Sequence, residues 1–144
     1  MRDGMRRLLL AMVISALASA QAFADVRIYS SPGGNVGTYL TFFSQVRRSG
    51  ERVVIDGPCY SACTLVLSTI PRSRVCVTRR AVLGFHAPEV MGDNGRAYHS
   101  RSVTQAMLAS YPANVRSWIR RHGGLKTHLI YLRGRELTAM YRRC

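Results

Sequence analysis

Pro58-Cys59-Tyr60-Ser61-Ala62-Cys63-Thr64 is the stretch around which the rest of the chain is arranged. It separates an apolar, β-branched run, Arg52-Val53-Val54-Ile55-Asp56, from an apolar helical one, Leu65-Val66-Leu67-Ser68-Thr69-Ile70. A strand that enters a tight turn and opens a helix places one side chain at the helix N-terminus. Free N–H groups and the positive end of the helix dipole there favour a developing negative charge. A serine at that corner can act as a nucleophile, with the Ala62 N–H facing an oxyanion. The same position also suits a plain helix cap, because serine accepts hydrogen bonds from first-turn N–H groups.

Two other stretches share the plan of strand followed by turn. Ser31-Pro32-Gly33-Gly34-Asn35-Val36 follows the strand-like Val26-Arg27-Ile28-Tyr29, and Val82-Leu83-Gly84-Phe85 ends in His86, 25 residues after Ser61. Ligands of open parallel sheets sit at the carboxyl ends of the strands, so three groups that each follow a strand are expected to meet at one sheet edge. Taken singly, Gly33-Gly34 is also an ordinary turn, and His86 also reads as a buried hydrogen-bonding histidine.

In this order the three stretches resemble the Clp-protease/crotonase superfamily. More narrowly, the chain is similar to the small secreted Clp-protease-like proteins of bacteria, with S-P-G-G, S-A-C-T and G-F-H motifs over roughly Asp25 to Pro88. The resemblance implies an α/β fold, a βαβ superhelix of parallel sheet with flanking helices. It also implies a serine hydrolase, most simply a peptidase, that needs no ATP, cofactor or metal. Ser61 would be the nucleophile and His86 the general base and later acid. The Gly33-Gly34 loop would approach the substrate, its Gly34 N–H joining that of Ala62 in the oxyanion hole. In the family an aspartate completes the triad near the place where this chain reads Thr127-His128-Leu129. The carboxylates after His86 are Glu89, Asp93 and Glu136, of which Glu136 is the candidate orienter. A serine–lysine dyad would instead require Lys126 to reach Ser61. The alternative function is a catalytically weak or inactive fold of this type, acting as a basic envelope-binding module.

Arg2, Arg6 and Arg7 precede an apolar Leu8 to Ala18 and then Ala22-Phe23-Ala24. This reads as a signal peptide over residues 1–24, with a single mature domain over 25–144. The apolar run is shorter than the about 20 residues a bilayer span needs, and no later segment is long and apolar enough. A secreted or periplasmic protein is therefore expected. An unfoldase-fed ring like that of the cytoplasmic Clp subunits is not expected behind such a leader, although an oligomer stays open.

The formal charge is +14, from 21 basic and 7 acidic residues, and loss of the leader lowers it to +12. Such a surface favours anionic partners, here envelope components, beside a peptide or protein substrate. The arginines are scattered without an aromatic platform, which argues against nucleic acid. Cys59, Cys63, Cys76 and Cys144 in an exported chain point to disulfides, which four cysteines can form in three ways. A bridge from Cys59 to Cys63 would staple the Ser61 corner and leave Cys76 and Cys144 to each other. A lone C-x3-C is a poor zinc motif.

In chain order, strands are expected at Asp25–Tyr29, Arg52–Asp56, Arg74–Thr78 and Ala81–Phe85. Between them lie a helix through Tyr39, Phe43 and Val46 closed by Gly50, and another ended by Pro71. Ala87 to Ser100 reads as a polar loop. Val103–Tyr111 and Asn114–Arg121 read as helices, Thr127–Leu132 as a short helix or strand, and Arg135–Tyr141 as helical. Alternating strands and helices predict a parallel sheet with right-handed crossovers.

Overall fold

The computed structural model describes residues 24–144; apart from Ala24, the expected leader lies outside the described residues. β1 (Asp25–Ile28) leads into α1 (Val36–Ser49), which Asn35 caps by accepting the Thr38 N–H, and which Gly50 ends at φ 82°. β2 (Arg52–Ile55) and β3 (Pro58–Tyr60) follow, then a 3-10 turn (Ser61–Leu65) that runs into α2 (Val66–Thr69). β4 (Val75–Val77) and β5 (Val82–Phe85) come next. The second half holds β6 (Glu89–Met91), β7 (Ala97–His99), α3 (Arg101–Ser110), α4 (Ala113–Arg121), β8 (Ile130–Arg133) and α5 (Gly134–Met140).

The protein is a mixed α/β fold with two small three-stranded sheets, not the single parallel sheet expected. β1, β2 and β4 form one sheet, all parallel, with Val26, Val53 and Val75 in register. β3, β5 and β8 form the other, in which β3 and β5 are parallel and β8 is antiparallel to β5. The same chain passes feed both sheets. Ile55 ends β2, and three residues later Pro58 opens β3; Val77 ends β4, and five residues later Val82 opens β5. The first pass behaves likewise, since Ser31 beyond β1 bridges Cys59 in parallel, donating its N–H to the Pro58 carbonyl and accepting that of Tyr60. Gly57 is required at the step from β2 to β3, because a Cβ there would lie 1.9 Å from the Tyr29 carbonyl oxygen.

The core lies between these sheets and the helices. Val53, Ile55, Val75 and Val77 are sealed, with Phe43 and Val46 of α1 packed over them. In the second half Phe85 of β5 stands edge-on to Tyr111, ring centroids 5.2 Å apart, and tilts against Trp118 of α4 at 6.0 Å. Expected polar loop Ala87–Ser100 is in part a hairpin, with β6 and β7 antiparallel and Val90 opposite Tyr98. Among the described residues no helix is long and apolar enough to cross a membrane.

Both disulfides are formed, Cys59–Cys63 across four residues and Cys76–Cys144 across 68. The second ties the last residue of the sequence to β4, where Val77 also bridges Arg143 in parallel.

Asp56, just past β2, is the buried charge of the first sheet at 5% exposure. Its carboxylate accepts from Arg80 Nη2 at 2.6 Å and Nε at 3.1 Å, from Thr78 Oγ1 at 2.7 Å, and from Arg27 Nη1 at 2.9 Å. These donors, Arg80 first, hold the carboxyl far below the usual carboxylate range against the opposing effect of its burial. A carboxylate depressed in the folded state stabilises it at pH above the unfolded value, about 3.9, and that contribution is lost as the pH falls below it. The melting temperature of the wild type should therefore drop steeply with acidification below about pH 4. Asp56→Asn should be less stable at neutral pH and show a shallower acid slope. Thermal melts at stepped pH test this, and equal slopes would refute it.

Candidate active site

β3 delivers the chain into Ser61 at φ 54°, the only positive φ outside glycine among the described residues. A left-handed serine costs about 1–3 kcal/mol and persists only where its surroundings impose it. Three features do so here. The Cys59–Cys63 disulfide closes over the corner. The Thr64 hydroxyl donates to the Ser61 carbonyl at 2.6 Å, and Thr64 Oγ1 lies 2.6 Å from the Tyr111 hydroxyl. As the Thr64 proton is committed to Ser61, Tyr111 is the donor to Thr64. Burial pushes the Tyr111 phenol up to about 12, with the bond to Thr64 acting in the opposite direction.

Gly33 supplies the third constraint. At φ 89° it backs against the same corner, and a Cβ there would fall 2.5 Å from Ser61 Cβ and 2.6 Å from the Tyr60 carbonyl oxygen. No other residue fits without moving the backbone.

Held this way, Ser61 does not cap the helical turn. Its Oγ lies 2.7 Å from His86 Nε2. The pairing of β3 with β5 accounts for this contact: Tyr60 is opposite Gly84, so Ser61 and His86 emerge together at the carboxyl ends of neighbouring parallel strands. With a neutral imidazole whose Nε2 is unprotonated, the hydroxyl donates and Nδ1 carries the ring proton. Ala62, second in the 3-10 turn, has an N–H of the kind a helical start leaves without an internal partner.

Ser61, Ala62, His86 and Gly34 line one cleft of about 670 Å³. Its apolar walls come from Val36, Met91, Val103 and Met107, with Tyr111 also lining it. Gly33 turns its own N–H to Ser31 Oγ at 3.4 Å, leaving Gly34 as the loop residue that lines the cleft. A separate groove of about 590 Å³ between β1 and α1, lined by Ile28, Tyr39 and Phe42, contains neither Ser61 nor His86.

Glu136 is not brought to this site. It lies on α5, which follows β8, and β8 runs antiparallel to β5 with Arg133 opposite Val82. α5 therefore starts beyond the amino end of β5, while His86 follows the carboxyl end, about 13 Å away at the usual strand rise. The segment at Thr127-His128-Leu129 does run beside His86, since the Ala87 N–H donates to the Lys126 carbonyl at 2.6 Å. It carries no carboxylate. The one carboxylate lining the cleft among the described residues is Glu89, which is exposed and 4.0 Å from His99 Nε2. Lys126 Nζ lies over Gly123, 2.9 Å from where a Cβ would stand. His122 stacks on Trp118 with centroids 4.0 Å apart, and His99 Nδ1 is 3.1 Å from the Pro88 carbonyl. No group of three or more His, Cys, Asp or Glu among the described residues is arranged to hold a metal.

Thr64 and Tyr111 had no signal as site residues in the sequence. Thr64 stands three positions after Ser61, a spacing that suits a hydroxyl-to-carbonyl bond, but Tyr111 reaches it from 47 residues away. Tyr111→Phe is expected to cost about 1 kcal/mol, the scale of a buried hydrogen bond. It should also slow any reaction of Ser61 several-fold, whereas Thr64→Ser keeps the relay and both properties. Denaturant titration and serine-reactive labelling of the two variants check this.

No protein-family model matches the chain, and no curated protein matches its sequence.

Proposed function

We propose that this protein is an exported, ATP-independent serine hydrolase of Clp-protease-like fold, acting on peptides. The observation that carries this reading is the 2.7 Å contact of Ser61 Oγ with His86 Nε2, made by a serine in a left-handed conformation. Backbone strain of this kind concentrates at functional sites, and a serine that only decorated a turn would have no reason to retain it. The three chain passes that each feed both sheets are compatible with a βαβ superhelix. Two disulfides suit an oxidising compartment.

In the proposed reaction Ser61 Oγ attacks the scissile carbonyl carbon as His86 Nε2 takes the hydroxyl proton. The carbonyl oxygen becomes an oxyanion, facing the N–H groups of Ala62 and Gly34. Collapse breaks the C–N bond, and His86 returns its proton to the leaving amine. Water, deprotonated by His86, then cleaves the acyl ester and restores Ser61. Apolar cleft walls favour peptides with an uncharged side chain at the cleavage point.

Among the described residues no carboxylate pairs with His86, which favours a Ser61–His86 dyad as the proposed catalytic unit. Loss of the orienting acid from a triad costs on the order of 10⁴ in kcat, and turnover should be correspondingly slow. That absence, with the +12 charge left once the leader is lost from the +14 chain, also favours a second reading, a non-catalytic module that binds anionic envelope components.

A fluorophosphonate probe separates the two. The oxidised wild-type protein should be labelled once, at Ser61, as located by peptide mapping. Folded, oxidised protein that stays unlabelled would overturn the hydrolase and leave the binding module.

A further inference from the structure

At the end of the molecule away from His86, three arginines from separate parts of the chain converge. Arg79 comes from the turn between β4 and β5, Arg135 from α5, and Arg143 from the C-terminal tail. With Thr78, Leu137 and Thr138 they line a pocket of about 220 Å³. No carboxylate lines it, and none of the three arginines joins an ion pair among the described residues. The nearby Asp56 is already saturated by Arg27, Thr78 and Arg80.

Two of the three are held by their backbone. The Ala81 N–H donates to the Thr78 carbonyl and the Arg80 N–H to Thr78 Oγ1, a turn that sends Arg80 to Asp56 and Arg79 to the pocket. The segment that carries Arg143 is pinned as well. Val77 donates to the Arg142 carbonyl at 3.0 Å, Cys144 donates to the Val77 carbonyl at 3.2 Å, Tyr141 is buried, and the disulfide to Cys76 closes the end. The tail residue that all this presents to the pocket is Arg143.

Three exposed arginines around one pocket with no lining carboxylate leave its positive charge uncompensated, and a multivalent anion seated there is attracted to it. Guanidinium forks match phosphate oxygens in planar geometry, and three forks suit the three terminal oxygens of a monoester. The pocket is smaller than the about 300–1,000 Å³ that encloses a drug-sized molecule, so it suits a single head group. We propose that this pocket binds a phosphate monoester group, free in solution or borne on a lipid headgroup. Because it lies beyond the amino end of β5, its occupation leaves the Ser61 cleft open, and the proposal does not depend on Ser61 being a nucleophile.

The test uses the oxidised protein at low ionic strength. Inorganic phosphate is titrated calorimetrically, and sedimentation is measured with phosphatidylcholine vesicles with and without phosphatidic acid. Single-site saturable binding is expected. Arg79→Gln, Arg135→Gln and Arg143→Gln should each weaken it at least about tenfold, the scale of one charged hydrogen bond. Arg48→Gln, which removes the same charge from the last turn of α1, should change it less than about twofold. Pocket-dependent binding of inorganic phosphate alone assigns a soluble ligand, and pocket-dependent binding of the phosphatidic acid vesicles alone assigns a headgroup. Failure of both to bind saturably overturns the proposal, as does a loss in Arg48→Gln equal to that in the pocket variants. Fluorophosphonate labelling should be the same in all four variants.

Discussion

Ser61→Ala is expected to abolish fluorophosphonate labelling while leaving the fold and both disulfides in place. Ser61 Oγ makes one hydrogen bond among the described residues, to half-buried His86, so its removal leaves no sealed polar group behind. His86→Ala should slow labelling by at least about a hundredfold, the usual scale of general-base assistance. Ser61→Gly is the more telling variant for stability. Glycine accepts φ 54° without a Cβ penalty. The variant should therefore gain up to about 1 kcal/mol in denaturant unfolding even as labelling disappears. A protein that loses both stability and labelling at Ser61→Gly would show the serine to be a structural fixture. Glu136→Gln should leave the labelling rate unchanged, since the antiparallel course of β8 carries α5 to the far end of β5.

The two disulfides should separate stability from reactivity. In the loop-entropy account, a bridge spanning four residues contributes about 2 kcal/mol and one spanning 68 about 4 kcal/mol. Cys76→Ala/Cys144→Ala should thus cost about twice as much in unfolding free energy yet keep most of the labelling, because that bridge lies at the carboxyl tail. Cys59→Ala/Cys63→Ala should cost less stability but slow labelling sharply, because it frees the Ser61 corner to leave its left-handed conformation. Cys59 and Cys63 are 0% and 1% exposed, so mild reductant should spare this bridge in the folded protein. Denaturant titration and labelling rates on the two double variants decide the matter. The reverse ranking of labelling would remove the disulfide from the positioning of Ser61.

The first half of the fold was legible because its signals are local. Val53-Val54-Ile55 is a continuous β-branched run, Asn35 and Gly50 bracket α1, and Cys59 and Cys63 flank the serine within one turn. The sequence also placed Ser61 and His86 each after a strand, and the structure puts them at hydrogen-bond distance. What local signals could not supply was pairing. A three-residue strand such as β3 has no periodicity of its own, and it exists because Ser31 and β5 hydrogen-bond to either side of it. Thr127–Leu132 reads as helix or strand until β5 offers Ile130–Arg133 an antiparallel edge. The polar stretch after His86 looked like loop because its strands are three residues each and largely exposed, so only their pairing with each other defines them.

The same division holds at the site. Residue types near Ser61 were determined by the sequence: the serine, the stapling cysteines, the glycine pair and the strand-ending histidine. Tertiary structure alone decided what surrounds them. It brought Tyr111 onto Thr64 from 47 residues away, sent Glu136 to the opposite end of β5, and gathered Arg79, Arg135 and Arg143 around one pocket. The physical reason is that conformation along a few residues follows from their own sterics and hydrogen bonds. Contacts between distant residues depend instead on register and strand direction, where a change of one residue or a reversal of sense moves a side chain to another face or another end of the sheet.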